Sequence, residues 1–163
     1  MVKLDEADLK ILIELQKDGR KSYTEISKKT GIPDSTVHDK IARLREKGVI
    51  RGFTVILDKK KVGIGVAALI GIETGTELYQ SVAEKLSKLN ELVEVYGTTA
   101  QFDLMAKVRT ASLESLNKIL NTIRSTKGVD DIFVMTILET FKEEHKLPLS
   151  EHILRTMEVA KVG

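Results

Sequence analysis

Apolar residues between Leu9 and Leu44 recur at three- and four-residue steps, and glycine and proline punctuate the recurrence. Leu9, Leu12, Ile13 and Leu15 form a helical stripe behind Asp5, a good N-capping residue, and the stripe ends near Gly19. Ser22-Tyr23-Thr24-Glu25 has capping-box spacing: the serine hydroxyl can accept from the Glu25 N–H, and the glutamate can reach back to the Ser22 N–H. Ile26 then falls on the inner face of a short helix that stops at Gly31. Pro33 opens another, in which Val37, Ile41 and Leu44 point inward together, and Gly48 ends it. A short glycine-containing turn between two such helices sets the steep crossing of a helix-turn-helix. The period then changes. Val49–Leu57 is a β-branched run that predicts a strand, giving a winged helix-turn-helix whose wing is reduced to one strand.

Residues 58–65, Asp58-Lys59-Lys60-Lys61-Val62-Gly63-Ile64-Gly65, are polar and then glycine-rich, and read as a linker. Beyond them strand and helix patterns alternate. Val66–Glu73 predicts a strand, Leu78–Leu89 a helix, Val93–Thr99 and Phe102–Arg109 two strands, and Val129–Leu138 a last one. Ser112 caps a helix carrying Leu113, Leu116, Ile119, Leu120 and Ile123. The order βαββαβ predicts a ferredoxin-like domain with both helices on one side of the sheet, so the fold class is α+β. Val66, Ala68, Ile70 and Ile72 face one way and Ala67, Leu69 and Gly71 the other, so this strand expects burial on both sides. An uncovered apolar sheet face is an association surface, and two subunits are expected to pack sheet to sheet. The predicted boundaries are 1–57 for the helix-turn-helix domain, which as such is expected to place its second helix in a DNA major groove and read it, 58–65 for the linker, 66–148 for the second domain and 149–163 for an extension. In that extension Ser150 can cap a helix presenting Ile153, Leu154, Met157 and Ala160.

Composition narrows the function classes. The chain of 163 residues is 42% hydrophobic and 31% charged, ordinary for a globular protein. It has no cysteine, which removes thiol nucleophiles, Zn-thiolate sites and disulfides. No apolar run reaches membrane-span length and the start lacks a secretory apolar core, so a cytoplasmic protein without a membrane partner is expected. The net charge of +2 is uninformative until it is divided. Residues 1–57 hold twelve Lys/Arg against nine Asp/Glu, whereas the rest hold fourteen against fifteen. The modest positive excess belongs to the reader, and a dimer that doubles its phosphate contacts would bind duplex far better than one copy.

With Val37, Ile41 and Leu44 inward, Ser35, Thr36, Asp39, Lys40 and Arg43 are expected outward. Ser35, Thr36 and Lys40 are placed to approach bases, and Arg43, Arg45 and Lys47 to anchor phosphates. Asp39 must either accept from a cytosine amino group or hold Arg43 at i+4; the intrahelical pair is the favoured expectation. His38 lies near the half-buried boundary of the same helix.

The stretches Asp5-Glu6-Ala7-Asp8-Leu9-Lys10-Ile11-Leu12, Tyr23-Thr24-Glu25-Ile26, Gly31-Ile32, Ser35-Thr36-Val37-His38, Arg43-Leu44, Gly48-Val49-Ile50, Gly128-Val129 and the strand pair around Asp103 stand out together. In combination they resemble the Lrp/AsnC family of transcription regulators. The resemblance covers about residues 3–148. It implies a winged reader joined to a ligand-responsive domain, dimers assembling into octamers or larger rings, double-stranded DNA as partner, and a small effector, usually an amino acid. It also implies an effector loop at Thr98, Thr99, Ala100, Gln101 and Asp103, in which Asp103 would meet an ammonium and the backbone amides of Thr99 to Gln101 a carboxylate. This loop departs from the family pattern in lacking its glycine and first acid, and Ile132, Phe133 and Val134 stand where hydroxyls are common. No cofactor, metal or catalytic residue is expected. Two other readings remain open: a decarboxylase of modified tetrapyrroles with the same architecture, and a DNA-packing protein without sequence preference.

Overall fold

The computed structural model describes residues 2–99 and 101–149. Among the described residues five helices and four strands follow in the order α1 (Glu6–Lys17), α2 (Tyr23–Thr30), α3 (Asp34–Glu46), β1 (Val66–Thr74), α4 (Tyr79–Leu86), β2 (Leu92–Gly97), β3 (Leu104–Thr110), α5 (Leu113–Arg124) and β4 (Val129–Thr136). They form two compact units. One is the chain through Val55 joined by the described residues from Glu143 onward; the other is Ile56–Lys142.

In the first unit the helix ends are fixed by short-range chemistry. Asp5 and Ser22 each close a reciprocal capping box, with Asp8 and Glu25 respectively, satisfying N–H groups that a helix start leaves without partners. Gly31 ends α2 at φ 73°, a left-handed conformation that a side chain would strain, so the tight entry into α3 depends on it. The three helices then close over Ile11, Ile26, Val37 and Ile41, with Leu15, Ile32 and Ile50 at the margin. Late in the chain the Leu147 backbone is held by α1: its N–H donates to Gln16 Oε1 at 2.7 Å and its carbonyl accepts from Gln16 Nε2 at 3.2 Å.

The second unit is an antiparallel sheet in the order β2-β3-β1-β4. Its inner face contributes Ala68, Ile70, Ile72, Leu104, Ala106 and Val108 to one core, into which α4 inserts Val82 and Leu86 and α5 inserts Leu116, Ile119, Leu120 and Ile123. Each large aliphatic side chain buried there contributes about 1.5–3 kcal/mol before the cost of ordering it. The predicted βαββαβ order is the observed one. Both helices pack into that single core, and among the described residues no helix covers the opposite sheet face.

Several local expectations need correction, among them the strands expected over Val93–Thr99 and Phe102–Arg109, which span Leu92–Gly97 and Leu104–Thr110. Residues 49–57 form no strand: the Val49 and Ile50 N–H groups donate to the Leu44 carbonyl at the end of α3, and Val55, Ile56 and Leu57 are largely exposed. A β-branched run satisfies its backbone groups as a strand only beside another strand, and a single copy of this chain provides none there. The helix expected over Leu78–Leu89 is shorter, Tyr79–Leu86, and the last strand stops at Thr136 rather than Leu138. The helix expected after Ser150 lies outside the described residues.

Candidate nucleic-acid interface and effector loop

Val37, Ile41 and Leu44 are buried as expected, which fixes the roll of α3. The opposite side carries Ser35, Asp39, Ala42 and Glu46, spaced three and four residues apart and all exposed. Arg45 and Lys47 are exposed as well. These two cations have no ion partner among the described residues. Thr36 is half-buried at the amino end, where a helix entering a groove comes nearest the bases.

Lys40 and Arg43 are placed differently from expectation. Asp8 is completely buried, and both its oxygens accept from Arg43 Nη2 at 2.6 Å. Lys40 Nζ donates to Asp8 at 3.1 Å and to Asp5 at 2.6 Å. Two carboxylates at the start of α1 thus hold two cations of α3 across 32 to 38 positions of sequence. The Lys40 hydrogen bond holds the Asp5 carboxyl below its usual range, although partial burial opposes this. For Lys40, burial works against the charge, and the bonds to Asp5 and Asp8 outweigh it, so its pKa is raised. The two residues therefore tie α3 to α1. Asp8 is the participant that sequence reasoning missed. Its signal was present: Asp8 shares a helical stripe with Ile11, Leu12 and Leu15, and an acid on a core stripe needs a cation or hydrogen-bond donors to answer it.

The expected Asp39–Arg43 pair does not form, because Arg43 is engaged by Asp8. Asp39 instead lies 3.3 Å from His38 Nδ1, and its side chain is 82% exposed. His38 is exposed too, with its ring edge-on to Tyr23 of α2 at 5.2 Å between centroids. A hydrogen bond from Thr24 Oγ1 to Asp34 Oδ2, 3.1 Å long, ties the two helices at their starts.

In the second unit the loop between β2 and β3 closes on itself. Thr98 N–H donates to the Asp103 carbonyl at 2.9 Å, and its hydroxyl donates to the Phe102 carbonyl. Asp103 in turn bridges to β1: its N–H donates to Ile72 O at 3.1 Å, and its Oδ2 accepts from the Thr74 N–H at 2.8 Å and hydroxyl at 3.3 Å. One oxygen of the expected ammonium partner is thereby committed to the fold. Thr99 and Gln101 are exposed, and Ala100 lies outside the described residues. Phe102 lies flat over Gly71, where an added Cβ would meet its ring at 2.5 Å, and stacks on Phe133 with centroids 5.9 Å apart.

Comparison with known proteins matches this two-part organisation. Residues 4–51 fit the profile described as winged helix-turn-helix DNA-binding, and residues 67–147 fit that of the Lrp/AsnC ligand binding domain. The HTH-type transcriptional regulator FL11 of Pyrococcus horikoshii is 44% identical over 148 residues, covering 91% of this chain and 98% of the relative. The chain belongs to the Lrp/AsnC family. Another relative, the HTH-type transcriptional regulator Ptr1 of Methanocaldococcus jannaschii, is 37% identical over 90% of this chain and 99% of its own length. Among solved structures, E. coli AsnC superposes with a TM-score of 0.81 at 26% identity, covering 87% of this chain and 97% of that one. A Neisseria meningitidis transcriptional regulator solved as an L-Met complex gives a TM-score of 0.85 at 25% identity, covering 93% and 99%. As an Lrp/AsnC protein, this chain is a helix-turn-helix transcriptional regulator with a ligand-binding domain.

Proposed function

We propose that this regulator grips duplex DNA as a homodimer or larger ring, with Ser35 and Thr36 near base edges, Arg45 and Lys47 on phosphates, and its affinity set by a small effector near Thr98–Asp103. The observation that carries the DNA-facing assignment is the ion tie at Asp8. By turning Lys40 and Arg43 toward α1, it leaves Arg45 and Lys47 as the unpaired cations at the carboxyl end of α3. A promoter duplex and a scrambled duplex titrated at several salt concentrations test the reading. A regulator prefers the promoter at every salt, and equal affinities would favour a packing protein.

Self-association is supported by two exposed apolar stretches. On the open sheet face Gly71 lies opposite Met105 and Phe133, Leu69 lies opposite Met135, and Tyr96 lies opposite Met105. Phe133 and Tyr96 are each 55% exposed. The segment Phe53–Leu57, which forms no strand, adds the exposed apolar side chains of Phe53, Val55, Ile56 and Leu57. Two copies would answer both needs, and an octamer would repeat the contact. Amino-acid binding rests on the family resemblance, on the L-Met complex of the Neisseria protein, and on exposed Thr99 and Gln101 beside Asp103. A thermal-shift panel of the twenty amino acids tests it: one or two should raise the melting temperature, and a flat panel would count against an amino-acid effector. We favour a cytoplasmic binding protein over a tetrapyrrole decarboxylase, since the relatives are named as transcriptional regulators.

A further inference from the structure

The ion tie leaves one consequence on the exposed side of α3. Asp39 stands in the outward row between Ser35, one turn before it, and Ala42 and Glu46 after it. Neither residue four positions away can neutralise it: Ser35 is uncharged and Arg43 is held by buried Asp8. The two neighbours at three positions, Thr36 and Ala42, carry no charge. The contact that remains, His38 Nδ1 at 3.3 Å, joins two side chains that are 60% and 82% exposed. Such a contact between exposed groups does little to mask charge.

A bare carboxylate on a helix that enters a major groove is repelled by phosphates on both sides. It is also repelled by the guanine O6 and N7 and the thymine O4, all acceptors. Adenine offers an amino donor but places the N7 acceptor beside it. Cytosine offers the N4 amine without an adjacent acceptor on its own edge, so it is the base that best compensates a carboxylate. We infer that Asp39 is a specificity-determining residue of the reader, accepting a hydrogen bond from the N4 amine of one cytosine in each half-site and penalising every site that lacks it. The inference rests on α3 being the helix that enters DNA. It makes Asp8 a positioning residue, because Asp8 withdraws the arginine that would otherwise mask Asp39.

Selection of duplexes from a random pool by the wild-type chain and by Asp39→Ala and Asp39→Asn, followed by sequencing, tests the assignment. All three are first checked for equal melting temperature, which an exposed position should preserve. Wild type should enrich cytosine at one position per half-site. Asp39→Ala should lose that preference at that position alone, bind scrambled duplex more tightly, and narrow the ratio between selected and scrambled DNA about tenfold. Asp39→Asn, which can donate as well as accept, should shift the same position from cytosine to adenine. A structural role would not move base preference in this way. If both variants select the wild-type sites with the wild-type ratio, the assignment falls while the reader stands. If the wild type enriches no sequence, both fall.

Discussion

At the scale of single residues, charge and burial separate cations that look alike in the sequence. Arg45 is exposed without an ion partner among the described residues, and Arg43 is locked to a buried carboxylate. Arg45→Ala should weaken binding to all sequences and lower the salt slope by about one, as one phosphate contact does. Arg43→Ala should instead destabilise the fold by about 3 kcal/mol, because it leaves much of the Asp8 charge unanswered, and it should not lower the salt slope. Melting curves and binding isotherms at several ionic strengths distinguish the two; a salt-slope change in Arg43→Ala would place that guanidinium on DNA after all. Gly71 makes a comparable demand in the second unit, since Phe102 occupies the space of its missing side chain. Gly71→Ala should displace the ring from Phe133 and cost about 1–3 kcal/mol, read as a lower melting temperature.

At the scale of elements, the tie between α1 and α3 gives the reader a defined pH response. The Asp5 carboxyl is held below its usual range, so its stabilisation is complete above about pH 4 and is lost as pH falls through the folded value. Lys40 is raised, so its contribution is complete below the ordinary lysine range and is lost only as pH rises above it, in strongly alkaline solution. Melting temperature should therefore fall on acidification below about pH 4. Lys40→Met should flatten part of that fall, and an unchanged acid slope would deny Lys40 its part in lowering Asp5. Much of this architecture was legible in the sequence, because it depends on neighbours. Capping boxes at Asp5 and Ser22, glycines that stop helices, and apolar periodicity act within a few residues. The Asp8–Arg43 contact joins residues 35 apart, and periodicity within either helix carries no information on their mutual packing. Val49–Leu57 failed for the opposite reason: its composition suits a strand, but pairing depends on a second strand that one chain does not provide. At the effector loop the sequence singled out Asp103 but not Thr74, to which one of its oxygens is bound.

At the scale of the molecule, the apolar outer sheet face and the exposed apolar segment near Val55 support the proposed assembly, which in turn would raise DNA affinity. Phe133→Glu should place a charge in the middle of the proposed sheet-to-sheet contact, lower the mass found by light scattering and weaken DNA binding together. Full-size assemblies carrying Phe133→Glu would move the interface elsewhere. One chain holds only a modest excess of positive charge in its reader, and the proposed complex places two readers on one duplex to double it. Nuclease footprinting of the wild-type chain on its own promoter measures this most directly. The expected result is two protected half-sites about 34 Å apart, one helical turn or a multiple of it, on the same face of the duplex, appearing at one protein concentration. A single protected half-site, or uniform protection that ignores sequence, would contradict the account.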